Sequence, residues 1–258
     1  SEASAPTISA NAFKNAQLLA SISIPTSVTD IGGSAFENCV SLSAVTMDSP
    51  PSLKNIGSAA FRGCNRLFSY AAPASLESIG AAAFQNNTRL ATLDLSSASN
   101  LLSIGDSAFE NSGITSLTSV PASLTSLGTR AFASCTKLLT LNLSAAQDLA
   151  SLSDYLLQGC TSLTSFTPPP FITTIGVSAL ENCSQLPTFT VPRSVELIKQ
   201  SAFKACSNLS TLVLSPSLRI IEQSAFANCV KLSSVNLPAN LSSVGDSAFK
   251  DCLGLTTV

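Results

Sequence analysis

The sequence predicts an α/β solenoid, a stack of short coils that each add one strand and one turn to a shared core. Three observations predict it. One pattern returns eleven times, its anchors are spaced by 23 or 25 residues, and its apolar residues alternate as in a strand. Units of this length cannot bury an apolar face alone and must stack on their neighbours. Residues 221–245 are a regular copy. From Phe226, Cys229 lies three residues on, Leu232 six, Val235 nine, Leu237 eleven, Pro238 twelve, Leu241 fifteen, Val244 eighteen and Gly245 nineteen, before Phe249 restarts the cycle. The anchors are Phe13, Phe36, Phe61, Phe84, Phe109, Phe132, Leu157, Leu180, Phe203, Phe226 and Phe249. An unbroken repeat implies one elongated domain over residues 1–258.

The strand is the first element. Each copy carries L-x-x-V-x-L, as in Leu90/Leu93/Leu95, Leu138/Leu141/Leu143, Leu186/Phe189/Val191 and Leu209/Leu212/Leu214, with apolar residues inward and small polar ones outward. Pro25, Pro73, Pro121, Pro192 and Pro238 follow and end the strand, because proline has no backbone donor. The I-G-x-x-A-F portion is the second element. It is too short for a full α-helix, so one helical or 3-10 turn is expected on the outer side.

Composition bounds the function. Hydrophobic residues make up 45% of the 258, charged residues 11%, and the net charge is −2. No basic stripe is present to neutralise phosphates, which argues against a nucleic-acid partner. No run of eighteen apolar residues occurs, so no membrane span is expected. The chain opens at Ser1 without a charged-then-apolar leader.

The eight cysteines, Cys39, Cys64, Cys135, Cys160, Cys183, Cys206, Cys229 and Cys252, all lie three residues after an anchor; Ala16, Asn87 and Ser112 fill the slot elsewhere. Alanine and serine as substitutes indicate a small buried slot suited to a free thiol. Coils stacked at about 4.8 Å would hold the thiols side by side. A disulfide would need the side chains to turn toward each other, and metal is disfavoured by the absence of histidine and of C-x-x-C pairs.

The combination C-x-x-L-x-x-V-x-L-P-x-S-L-x-x-I-G-x-x-A-F-x-x-C, recurring over nearly the whole chain, resembles the BspA-like class of leucine-rich repeat. The resemblance implies a right-handed superhelix with one parallel β-sheet on its concave face. It also implies a place on the surfaces of bacteria or protists, where such proteins are associated with adhesion. Local departures are Leu156-Leu157 for the A-F pair, Leu180 for Phe, and Lys199 and Glu222 where Gly is usual.

Two irregularities stand out. Insertions at 48–52, 96–100 and 144–148 fall 48 residues apart and should line one rim at about 10 Å intervals. In 111–121, Ile114 and Leu117 arrive one residue early while Val120 is on time, which predicts a β-bulge after Leu117. Neither end resembles a polar cap: residues 1–7 are small and polar, and Val258 falls within a strand. A longer parent protein, or self-association through the solenoid ends, is the expectation.

No nucleophile–base pair, carboxylate pair or phosphate-cradling loop is visible, so neither enzyme activity nor a cofactor is expected. Asp48, Asp94 and Asp148 lie near the strand-end rim, but calcium needs several oxygens converging on one point, so solvated carboxylates are expected. The acids as a whole read as scattered over repeat phases.

Candidate site residues come from the outward strand positions. The first row contains Thr92, Thr140, Ser165, Thr188, Thr211 and Ser234; the second contains Asp94, Asn142, Thr167, Thr190 and Asn236. Small and β-branched polar residues suit any exposed sheet. The same rows also make a nearly uncharged hydrogen-bonding surface for a protein or glycan ligand. Regular threonines on a flat sheet admit ice binding as a remote alternative, and end-to-end assembly into a filament or coat is the structural one. Five N-x-S/T sequons, at Asn86, Asn142, Asn182, Asn208 and Asn240, are possible glycosylation sites in a secreted protein, and a glycan on Asn142 would obstruct the face. The leading expectation is an extracellular or cell-surface binding module.

Overall fold

The computed structural model describes residues 6–258. Of the small polar opening stretch, residues 1–5 lie outside the described residues. The repeats stack as a parallel-strand solenoid. Strands Ser21–Ile24, Ala44–Met47, Ser69–Ala71, Thr92–Asp94, Ser116–Leu117, Thr140–Asn142, Ser165–Thr167, Thr188–Thr190 and Thr211–Val213 form one face. A bridge from Ser234 to Thr257 continues it. Equivalent residues pair one repeat apart: Tyr70 with Leu93, Leu141 with Phe166, Phe189 with Leu212. This long-strand ladder is interrupted between Ala44–Met47 and Ser69–Ala71, and again before Thr188–Thr190, where Pro187 offers no N–H.

One sheet was expected; the described residues contain a second ladder. The apolar residue that opens each I-G-type doublet and the residue before it form strands of their own, such as Asn55–Ile56, Ser78–Ile79 and Ser103–Ile104, in parallel sheets of six and five strands. Two residues are too few to show alternation in a sequence. Coils stacked at strand spacing nevertheless bring these backbone groups into bonding range, and buried groups require partners. The glycine is set by that closeness. A Cβ on Gly80 would lie 2.7 Å from Gly57 and Ser58 backbone atoms, and one on Gly128 would lie 2.3 Å from the Asp106 nitrogen. Lys199 and Glu222 take this position yet keep their bonds to Ile175 and Ile198 oxygens, at 3.0 and 2.9 Å. The six- and five-stranded sheets part at Ser153, whose hydroxyl donates to the Leu127 carbonyl.

The outer side corrects a second expectation: no helical or 3-10 segment occurs among the described residues. Each coil instead crosses it in tandem turns whose donors alternate in direction. In the third repeat, Ala60, Arg62 and Cys64 N–H groups bond back to Gly57, Ala59 and Phe61 carbonyls at 3.1–3.3 Å. Ala59, Phe61 and Gly63 bond outward to Ala81, Ala83 and Gln85 of the next coil at 2.8–2.9 Å. A helix is excluded because Ala59 and Gly63 have φ of 55° and 72°, and each coil repeats such a left-handed pair. Left-handed residues occur singly, in turns, not in helices.

The core lies between the two faces. Anchor rings stack in a column from Phe13 to Phe132 with centroids 5.1–5.4 Å apart and planes within 15° of parallel. Leu157 and Leu180 interrupt it, and Phe203, Phe226 and Phe249 resume it at 5.1 Å. In the irregular fifth repeat, pairing stops after Leu117, Thr118 and Ser119 both face solvent, and Val120 returns to the core. One extra outward residue there is what a bulge inserts.

Leu212 is buried and Thr211 beside it exposed. Leu212→Ala should cost about 2–5 kcal/mol through the cavity it leaves and speed hydrogen exchange first around residues 189–235. Thr211→Ala should change stability by less than about 0.5 kcal/mol. The reverse ranking would place the strand faces one residue out of register.

Candidate functional site

The long strands carry two outward positions per coil, set by the pleat once Leu93, Leu141, Phe166, Phe189 and Leu212 are buried. Thr92, Asp94, Ser165, Thr167, Thr188, Thr190, Thr211, Ser234 and Asn236 are exposed, and Thr140 and Asn142 half-buried. Register brings the first row together: Thr92, Ser116, Thr140 and Ser165 are successive partners, as are Thr188 with Thr211 and Ser234 with Thr257. The second row is less uniform, since Asp94 is beside Ala71 and Thr190 beside Val213, which is 51% exposed.

Hydrogen bonding separates most of these hydroxyls from those at the strand entrance; on the face, Ser23 donates to Asp48 and Thr46 to the Ile22 carbonyl. Just before the strand, Ser43, Thr115, Thr164, Ser210 and Thr256 each donate to a carbonyl of the preceding coil at 3.1–3.2 Å. Among the described residues, Thr92, Thr140, Ser165, Thr167, Thr188, Thr190, Thr211 and Ser234 side chains bond to no protein group. Asp94 and Asn142 are different. Asp94 Oδ1 accepts from the Ser96 hydroxyl and amide at 2.6 and 2.9 Å, and Asn142 Oδ1 accepts from the Ser144 amide at 3.0 Å. These two close the turns that leave their strands. The Ser96 bonds hold the Asp94 carboxyl below its ordinary range. Asp48 accepts from Ser23 at 2.8 Å, Asp148 is exposed, and no metal-holding group of three His, Cys, Asp or Glu occurs among the described residues.

All eight cysteines are buried free thiols. Each donates to the carbonyl of the preceding anchor at 3.1–3.3 Å, from Cys39 on Phe13 to Cys252 on Phe226. The slot therefore suits a small buried donor, although Asn87 and Ser112 occupy it without donating to that carbonyl. Burial pushes the Cys64 and Cys206 thiols up to about 12 and Cys135 up to about 11. Asn87 occupies the slot fully buried, with both side-chain polar atoms unbonded.

The acids are less scattered than expected. Glu37, Glu110 and Glu181 share the position after the anchor, where they accept from neighbouring coils: Lys14 and Arg62 on Glu37, Gln85 on Glu110, Gln158 and Lys204 on Glu181. Burial raises the Glu37 carboxyl, but bonds from Arg62, Ser34 and Lys14 outweigh it and hold the group at about 2.

Of the sequons, Asn86, Asn182 and Asn240 are exposed and Asn142 and Asn208 half-buried. Asn86 and Asn182 are left-handed turn residues, with φ of 64° and 62°. The amide nitrogens of Asn208 and Asn240 donate to Gln185 at 2.9 Å and to the Pro216 carbonyl at 3.2 Å. No helix among the described residues is long and apolar enough to cross a membrane.

A family profile described as the BspA type leucine rich repeat region, in six copies, matches residues 6–139 and 139–256. Among solved structures, the pneumococcal vaccine antigen PcpA is 26% identical with a TM-score of 0.62, over 88% of this chain and 58% of the antigen. The chain thus spans little more than half of that antigen's length. A leucine-rich repeat protein of Bacteroides ovatus, 23% identical with a TM-score of 0.53 over 96% of this chain and 80% of its own, shares the fold. No protein of curated function matches the chain.

Two outcomes follow from these side chains. At about pH 8, near the range where a free thiol ionises, a thiol reagent should leave the folded chain unmodified and count eight groups after denaturation. A count of four or fewer without reductant would mean disulfides. Because Glu37 titrates lower folded than unfolded, its stabilisation is complete above the ordinary 4.5 and drains as pH falls toward about 2. Glu37→Gln should flatten that acid limb of the unfolding midpoint, while an unchanged limb would assign it elsewhere.

Proposed function

The chain belongs to the BspA-type leucine-rich repeat family, and on that premise we propose that it is a non-catalytic binding and adhesion module displayed at a cell surface. Its ligand is a protein or glycan engaged by the outward face of the long strands. The observation carrying this reading is the division of hydroxyls. At the strand entrance Ser43, Thr115, Thr164, Ser210 and Thr256 are spent on coil-to-coil bonds, whereas on the face Thr92, Thr140, Ser165, Thr167, Thr188, Thr190, Thr211 and Ser234 keep donors and acceptors free at a coil spacing of about 4.8 Å. Polar groups already aligned lose little freedom when a ligand orders them. The similar pneumococcal protein is a vaccine antigen, which supports exposure on a surface.

The test uses the double variant Thr188→Lys/Thr211→Lys, two exposed register partners. Wild type and variant are passed over immobilised matrix proteins and a glycan array. Ligands retained by the wild type should bind the variant about tenfold or more weakly while the unfolding midpoint stays put. Equal binding by both would remove this face from the function.

A further inference from the structure

A second surface lies at the entrance edge of the strands, where the fifth repeat is irregular. Other coils carry two residues between the cysteine slot and the next apolar position, and the second of them is Arg66, Arg89 and Lys137 in repeats three, four and six. The fifth repeat has only Gly113 between Ser112 and Ile114, so the side chain that would stand between Arg89 and Lys137 is missing. The shortened chain is drawn against its neighbour. Gly113 N–H donates to the Asn87 carbonyl at 3.1 Å, and a Cβ on it would lie 2.4 Å from the Thr88 oxygen.

The gap is a recess of about 400 Å³ lined by Phe68, Arg89, Ala91, Gly113, Thr115 and Lys137. Backbone bonds from Ala91 to Phe68, Thr115 to Ala91 and Leu139 to Thr115 order its edge as one row across four coils. Phe68 and Leu139 close the row, 61% and 50% exposed. Arg66, Arg89 and Lys137 enter none of the ion pairs among the described residues. Arg89 and Lys137 stand two coils apart, about 10 Å.

We propose that this recess docks an acidic peptide segment of a partner protein. One apolar side chain seats between Phe68 and the Gly113 gap, and flanking carboxylates meet Arg89 and Lys137. Charge complementarity selects the anion, because these cations are uncompensated on a chain of net charge −2. The walls select a peptide over a sugar. The Thr115 hydroxyl already donates to Ala91 at 3.2 Å, which leaves a phenylalanine ring, an alanine methyl and a glycine to line the seat. This surface is distinct from the hydroxyl face and does not rest on it.

A random dodecapeptide phage library panned on the full chain, with counter-selection on Arg66→Glu/Arg89→Glu/Lys137→Glu, tests this. Enriched sequences should flank Leu, Phe or Met with aspartates or glutamates. The synthetic consensus should bind Arg89→Glu/Lys137→Glu and Phe68→Ala each about tenfold or more weakly, lose affinity with added salt, and bind Thr188→Lys/Thr211→Lys as tightly as wild type. If the charge-reversed chains fail to fold, Arg89→Gln/Lys137→Gln replaces them with the same expected direction. The proposal is overturned if no peptide enriches, if enriched peptides lack acids or bind the charge variants equally, or if a sulfated hexasaccharide binds with no dependence on Phe68.

Discussion

Everything in this solenoid answers to one distance, the separation of successive coils. Parallel strands fix it at about 4.8 Å, and each recurring residue is one that tolerates or reinforces it. Phenylalanine rings stack at 5.1–5.4 Å, close to the coil separation, so the anchor column packs in the stacked geometry without distorting the backbone. Glycine follows the second ladder because a Cβ would strike the preceding coil. Cysteine fills its slot because a thiol reaches the preceding anchor carbonyl at 3.1–3.3 Å while remaining small. Position-specific identity in the repeat is thus a consequence of stacking, and it explains how a chain with 11% charged residues holds together without a charged scaffold.

The sequence made the long-strand face and the buried cysteine row legible, because both rest on side chains repeating at a fixed phase. What it concealed is mostly backbone. The second ladder has only two residues per coil, and its partners lie a full repeat away. The outer turns depart from the expected helical turn because Ala59, Ala82, Arg130 and Tyr155 adopt left-handed φ despite carrying a Cβ that disfavours it. Bonds to the next coil offset that cost. A signal was nevertheless present. The residue before the cysteine slot is Asn15, Asn38, Gly63, Asn86, Asn111, Gly159, Asn182, Asn228 or Asp251 in most coils, the types that enter left-handed turns most readily. Two of those asparagines are also sequons, and their turn role accounts for them without a glycan.

The candidate face was legible as positions but not as chemistry. Alternation alone placed Thr188 and Asp94 outward alike. The structure separates them, since Asp94 is tied to Ser96 and the Thr188 hydroxyl to nothing among the described residues. Whether an outward group is free depends on the residue two positions on and on the coil behind it, and neither enters a period-two pattern. Val213 likewise interrupts the second row at a position where the alternation implied only that something faces out.

Departures from the repeat have two different consequences in this chain, and the coil distance decides between them. Leu157, Leu180 and Ser153 change a side chain while leaving the chain length of the coil intact; stacking absorbs them, and the stack loses a ring contact or a single backbone bond. The fifth repeat changes length. A missing residue before Ile114 and an extra one after Leu117 cancel, so Phe132 returns on schedule and the core is unbroken. The surface does not cancel. It gains a recess where the chain is short and two adjacent outward residues, Thr118 and Ser119, where it is long. A solenoid can acquire a local binding feature in this way without weakening its stack, because nearest-neighbour packing is judged at the buried positions and the compensating errors in length fall outside them.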